Sequence, residues 1–257
     1  MKWLRFRQGS REGFGVLQGD TVQVHGGDLF KRPTATSEHI ATSDIEWLIP
    51  CCPTKVIGLW NNFHALAQKN GWATPAEPLY FLKASSSLAA HQQTIVPPEA
   101  DVGRVAFEGE LAVVIAKTCR NVRLEDADSH IFGYTCANDV TAIEVLNRDP
   151  SFPQWARAKS FDTFGVLGPV IETDFKFAAA TLRTRVGGRE RQNYALSDMV
   201  FSPAELVHHI SRDMTLHSGD VILCGTSLGV LPMKPGSAVE VEIDGLGMLV
   251  NRFGSVN

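Results

Sequence analysis

The feature that most constrains this chain is a rhythm of short apolar runs broken by glycine and proline, with no regular alternation of strand and helix. Trp3 to Arg7, Gly15 to Leu17 and Thr21 to Val24 read as extended pieces separated by glycine and charge, a hairpin pattern. Beyond Cys51-Cys52-Pro53 the pattern continues with Lys55 to Leu59, Leu79 to Lys83, Ile95-Val96 ahead of Pro97-Pro98, and Glu108 to Lys117. It returns at the end in Asp220 to Cys224, Ala238 to Ile243 and Gly247 to Phe253, parted by Pro235-Gly236 and Asp244-Gly245. Helical patterns are fewer: Asn61 to Asn70 stopped by Gly71, Leu124 to His130, Val140 to Leu146 and Pro203 to Met214. Ser43 to Trp47 reads as a capped helical turn ending at Pro50. These patterns predict an α+β, β-dominated fold, with residues 1–50 as a small β-rich N-terminal domain and 51–257 as the larger one.

Charge and cysteine usage narrow the possible partners. Across 257 residues, 24 Lys and Arg face 28 Asp and Glu, a net charge of −4, which leaves no basic excess for nucleic acid or an anionic membrane surface. A hydrophobic share of 44% argues against disorder. The N-terminal segment has no signal-peptide core, and the longest apolar stretch, Leu111 to Ala116, is far short of a membrane span. Five cysteines with no C-x-x-C pairing suggest neither a disulfide framework nor a thiolate zinc site. The expectation is a cytoplasmic protein whose partner is a small molecule.

Phe107-Glu108-Gly109-Glu110-Leu111-Ala112-Val113-Val114-Ile115 is the most informative segment. Residues two apart on a strand share a face, so Glu108 and Glu110 project together. A solvated strand face would carry two acids without consequence. The apolar run that follows looks buried on both faces, however, and like charges there need a cation or protons between them. Asp139 offers a third carboxylate where a strand gives way to a helix, although an aspartate there also suits a helix N-cap. Three carboxylates with no His or Cys at ligand spacing suit a hard cation such as Mg²⁺ or Mn²⁺.

Six blocks in order then carry a resemblance over roughly residues 54–253. They are Ile57-Gly58-Leu59 running to His64; Phe81-Leu82-Lys83 with Ser86-Ser87-Leu88; Phe107 to Leu111; Gly133 to Asp139; Ala158 to Phe164 with Leu167-Gly168-Pro169; and Gly225 to Val230. Together they resemble the fumarylacetoacetate hydrolase family. The resemblance implies a mixed β-sheet roll wrapped by a few helices, usually a homodimer. It implies that Glu108, Glu110 and Asp139 bind a divalent metal, Mg²⁺ or Mn²⁺. Lys159 matches the active-site lysine, Thr226 beside Gly225 a threonine that holds a substrate carboxylate, and His64 the lid histidine. A charge argument supports Lys159 independently: three carboxylates around a divalent cation still leave one negative charge before an anionic substrate arrives.

The resemblance further implies a 2-oxo or β-diketo acid substrate that chelates the metal through two oxygens while an enolate develops. That enolate serves hydrolytic C–C cleavage, decarboxylation and isomerisation alike. Relatives pair the lid histidine with a glutamate three residues on, where this chain has Ala67. Trp60, Asn61 and Ile143 are further departures. Loss of that carboxylate, together with the Val239 to Phe253 run, which resembles decarboxylase and isomerase members, favours a decarboxylase or isomerase of a 2-oxo dicarboxylate in aromatic-compound catabolism. Acylpyruvate or fumarylacetoacetate-type hydrolysis and non-catalytic oxo-acid binding are the alternatives. If Asn61 to Asn70 forms a helix, its three-residue spacing places residue 67 beside His64.

Overall fold

The computed structural model describes residues 1–99 and 101–255. Residues 1–50 supply β1 (Lys2–Gln8), β2 (Arg11–Gln18), β3 (Thr21–Gly26) and β4 (Thr34–Ala41), an antiparallel meander, and then β5 (Glu46–Leu48). The helical turn expected at Ser43 to Trp47 shrinks to one 3-10 turn at Thr42–Asp44, and Trp47 sits in β5 opposite Phe6. No side chain caps that turn, whereas the free edge of β1 offers a backbone ladder, and Arg7 reaches Glu46 at 2.9 Å.

The rest of the chain begins with β6 (Val56–Trp60), α1 (His64–Asn70), β7 (Leu79–Lys83), β8 (Leu88–Ala90), β9 (Thr94–Ile95) and β10 (Val105–Ala106). The central strands β11 (Gly109–Ile115) and β12 (Ile131–Asp139) follow. Next come β13 (Thr141–Ala142), α2 (Ile143–Leu146), α3 (Trp155–Lys159) and β14 (Gly165–Glu172). The chain closes with β15 (Thr181–Val186), β16 (Arg189–Ala195), α4 (Pro203–Asp213), β17 (Val221–Leu223), β18 (Ala238–Ile243) and β19 (Gly247–Phe253). The helix expected over Val140 to Leu146 therefore starts late. Thr141–Ala142 pairs with β10 instead, because β-branched Val140 and Thr141 suit an extended chain and β10 supplies a partner. Helix α1 ends as its sequence requires, with Gly71 left-handed at φ 66°.

Two mixed sheets form the β-dominated fold. The large one runs β4-β3-β2-β1-β14-β12-β11-β17-β6-β7, with β5 on β1 and β8 on β14; the second runs β16-β15-β18-β19-β9. Strand β17 is parallel to β6, and β14 is parallel to β8. On a flat sheet, the four steps from β12 to β7 would span about 19 Å. Yet Lys83 of β7 hydrogen-bonds Asp139 of β12 at 2.6 Å, so these strands curl into a roll.

Strand β11 is buried at every position, and its two faces serve different cores. Leu111, Val113 and Ile115 pack with Val239, Val241 and Leu249 of the second sheet. Ala112 and Val114 point into the roll with Val56, Leu223, Leu167 and Trp3. Each large apolar side chain buried this way contributes roughly 1.5–3 kcal/mol, enough for the roll to hold polar groups at one end.

Candidate metal centre

That polar end lies where β11 begins and β12 finishes. Gly109 pairs with Asn138 across the two strands, and the Asp139 N–H donates to the Glu108 carbonyl at 2.9 Å. The Glu108 N–H donates to Asn138 Oδ1 at 2.9 Å. These bonds bring the side chains of Glu108, Glu110 and Asp139 to one point, with one oxygen of each within 4.8 Å of the others. The glycine between the glutamates is dictated by a close approach. A Cβ on Gly109 would stand 2.1 Å from Thr184 Oγ1 of the second sheet.

Two buried lysines balance the acids. Lys159, the last residue of α3, lies 2.8 Å from Glu108 Oε2 and 2.7 Å from Asp139 Oδ2. Lys83 lies 2.6 Å from Asp139 Oδ1 and also donates to the Lys159 carbonyl, fixing the end of α3. The Thr141 hydroxyl donates to Glu108 Oε1 at 2.5 Å, and the Gly225 N–H to Glu110 Oε2 at 2.7 Å. Burial penalises the charged form of all four groups, but the outcomes differ. Burial, reinforced by Asp139 and Glu108, pushes the Glu110 carboxyl well up. Burial also pushes Asp139 up, but Lys159 and Lys83 outweigh it and leave the carboxyl below its ordinary value. Burial pulls Lys159 down, but the three carboxylates outweigh it and hold the ammonium above its usual range. For Lys83, burial prevails over Asp139, and its pKa falls.

The donor set fits a hard divalent cation. Every candidate ligand atom is a carboxylate oxygen, and Glu110 Oε1 is buried with no hydrogen-bond partner among the described residues. A buried acceptor left bare in this way is costly unless a cation or proton meets it. Three carboxylates against two ammoniums leave one negative charge, and a divalent cation turns the balance to one positive charge. Three carboxylates and the cation alone carry one negative charge. Lys159 cancels it and Lys83 makes the balance positive, so the resulting site favours an anionic substrate.

Residues 55–254 match the family described as fumarylacetoacetate (FAA) hydrolase C-terminal, and residues 1–50 match the one described as Rv2993c-like, N-terminal. The chain belongs to the fumarylacetoacetate hydrolase family. Within it, the chain is 34% identical to oxaloacetate tautomerase YisK of Bacillus subtilis, over 93% of this chain and 85% of that protein. It superposes on the crystal structure of 2-hydroxyhepta-2,4-diene-1,7-dioate isomerase from Mycobacterium marinum with a TM-score of 0.90 at 34% identity, covering 99% and 98% of the two chains. The maleylpyruvate hydrolase of Sphingobium sp. SYK-6, solved with manganese(II) and pyruvate, has a TM-score of 0.80 at 26% identity, covering 99% and 100%. This fumarylacetoacetate hydrolase family thus includes isomerising and hydrolysing relatives of the chain.

The other residues singled out from the sequence fall at different distances from the carboxylates. The Thr226 hydroxyl donates to the Gly109 carbonyl at 3.0 Å, directly beside them, and Gly225 donates to Glu110. His64, the first residue of α1, is exposed, and its ring makes no hydrogen bond among the described residues. Ala67 is buried on the inner side of α1, so the two positions three apart differ sharply in exposure. Reasoning from sequence assigned no role to Lys83, Thr141, Gln192 or Tyr194. Gln192 Oε1 accepts from the Gly109 N–H at 2.9 Å, while Tyr194 donates to the Gly109 carbonyl at 2.6 Å, so β16 clamps the backbone between the glutamates. Strand alternation puts Lys83 on one face of β7 with Phe81, but nothing local says that this face meets Asp139.

Proposed function

We propose that the protein is a divalent-metal-dependent enzyme that converts a 2-oxo acid by isomerisation, tautomerisation or decarboxylation rather than by hydrolysing a C–C bond. The observation that carries this reading is a carboxylate trio backed by two buried lysines, while the ring of the exposed His64 makes no hydrogen bond or ion pair with a carboxylate among the described residues. Mg²⁺ or Mn²⁺ held by Glu108, Glu110 and Asp139 would supply Lewis-acid stabilisation of charge developing on the 2-oxo oxygen. Lys159 and Lys83 supply fixed positive charge that favours the anionic head and the enolate that forms from it. Tyr194 also donates to the Gly109 carbonyl, so the Thr226 hydroxyl can turn to a substrate carboxylate without leaving that carbonyl bare. Hydrolysis would need in addition a general base for water, typically worth about 10²–10⁴ in rate. The likeness to a tautomerase and an isomerase over nearly the whole chain supports the same reading.

The test compares three reactions in one metal-stripped preparation, with and without Mn²⁺. These are loss of enol absorbance from 2-oxo acids, release of carbon dioxide, and cleavage of acylpyruvates. Metal-dependent enol conversion or decarboxylation, about a hundredfold or more faster than cleavage, is the expected result. Cleavage at an equal rate would favour the hydrolase reading, and tight oxalate binding without turnover would favour an oxo-acid binder. We also propose a homodimer, which light scattering checks directly.

A further inference from the structure

The carboxylate cluster adjoins a strip of aromatic side chains that the chemistry above leaves unused. Two elements lay it out. On β7, Lys83, Phe81 and Leu79 share a face and pass from fully buried at Asp139 to 39% exposed at the rim. On α3, four-residue spacing sets Trp155 on the same helical face as Lys159. Each stripe starts at a lysine that holds Asp139 and turns aromatic at the next position on its face. The stripes meet where Phe81 stacks on Trp155, ring centres 5.3 Å apart and planes 15° from parallel, with the Lys159 ammonium 5.4 Å from the Phe81 ring centre.

Strand β6 carries the strip outward. Gly58 pairs opposite Phe81, and a Cβ there would come within 2.5 Å of its ring, so the glycine lets the ring lie close over β6. Trp60, the next residue on that face, lies 6.1 Å from Trp155 and 4.9 Å from Trp72, which is 38% exposed. Trp60, Trp72 and Leu79 line a cleft of about 670 Å³ whose only ionisable lining side chain, among the described residues, is Glu77.

We propose that this strip binds the substrate's tail and that the group next to the 2-oxo acid head is an apolar aryl ring. The inference rests on the metal-held 2-oxo acid reading of the site and adds the class of substrate. A second carboxylate close to the head would be stripped of water against tryptophan and phenylalanine, with both nearby lysines already engaged, and one placed further out in the cleft would meet Glu77. An aryl tail is conjugated with the enol, stays in its plane and packs on the rings in offset or edge geometry.

The experiment titrates the Mn²⁺-loaded protein with oxalate, pyruvate, 2-oxoglutarate and phenylpyruvate, reading heat and tryptophan fluorescence. Oxalate reports on the head site alone. Phenylpyruvate is expected to bind at least about tenfold more tightly than pyruvate and to quench tryptophan emission, with 2-oxoglutarate no tighter than pyruvate. Trp60→Leu and Trp72→Ala should each bring the phenylpyruvate-to-pyruvate ratio toward one. The exposed Trp72 site keeps the test decisive should the Trp60 variant fold poorly. A strip that only packs the fold would lower affinity for all ligands together and leave that ratio unmoved, and this result overturns the inference. So does tighter binding of 2-oxoglutarate than of phenylpyruvate. Absence of Mn²⁺-dependent oxalate binding overturns the metal-held reading itself and the tail inference with it.

Discussion

Glu110 has one carboxylate oxygen on the Gly225 amide and the other bare, with Asp139 and Glu108 beside it. Its surroundings demand a positive partner. Glu110→Gln keeps the shape and removes the charge, so Mn²⁺ affinity measured by calorimetry should fall about a hundredfold or more. Lys83 carries a second expectation. Lys83→Met leaves Asp139 with Lys159 alone and returns the metal-loaded cluster from one positive charge to neutral. Oxalate affinity should drop about tenfold or more, and the metal-free protein should melt lower, because breaking a buried pair costs on the order of 3 kcal/mol. Added Mn²⁺ should recover part of that loss, since it neutralises the same carboxylate. The trio was legible in the sequence because Glu108 and Glu110 sit two apart ahead of an apolar run. Lys83 was not, because the curl that brings β7 to β12 is a property of the whole sheet and leaves no local mark.

Short elements were read less well than long ones, for a physical reason. Strand β11 announces itself as a continuous apolar run and helix α4 by its periodicity, to which α4 adds a capping box between Ser202 and Glu205. Glu46–Leu48 and Thr141–Ala142 are too short for a period, so an available edge decides their state. Helix α1 was found, but its burial was not: an acidic side chain introduced at Ala67 would start from the buried side of the helix. Between elements, His91 makes a joint whose chemistry is pH-dependent. Its Nδ1 accepts the Val250 N–H of β19 at 3.1 Å, and its ring meets Trp47 of β5 edge-on at 5.1 Å. Burial pulls its pKa down to about 4. Between there and the ordinary histidine value of about 6.5, the unfolded chain takes up a proton that the folded one refuses. Stability from this joint is therefore complete above that upper value and lost as pH falls toward the lower one. Thermal melts across this window should show the wild type losing more stability than His91→Gln, whose side-chain oxygen can accept the same N–H without titrating. Equal slopes would remove His91 from the acid response.

The whole molecule is tied together where sequence alone draws a boundary. Residues 1–50 carry their own turn signals and match their own family, which makes them look separable. In the structure β1 continues the large sheet by pairing with β14, Trp3 opposite Ile171. Trp3 is buried in one cluster with Val56, Ala112, Val114 and Leu223, all from beyond the boundary. The same side chain meets His25 of the meander edge-on at 4.8 Å, so one indole joins both halves. No local pattern could reveal this, because β14 is remote in sequence and its partner edge is chosen only when the sheet assembles. The physical consequence is cooperativity: a shared sheet and a shared core should unfold together. Calorimetry should give one transition with equal calorimetric and van't Hoff enthalpies. Trp3→Ala removes the indole from both halves at a cost of about 3–5 kcal/mol, which should lower that single transition by about 10 °C. If the first fifty residues instead fold alone, the same substitution should split the trace, moving a small transition and leaving the large one in place. The shape of the melt, more than its midpoint, therefore decides whether the meander is an attached module or an integral edge of the roll that carries the metal centre.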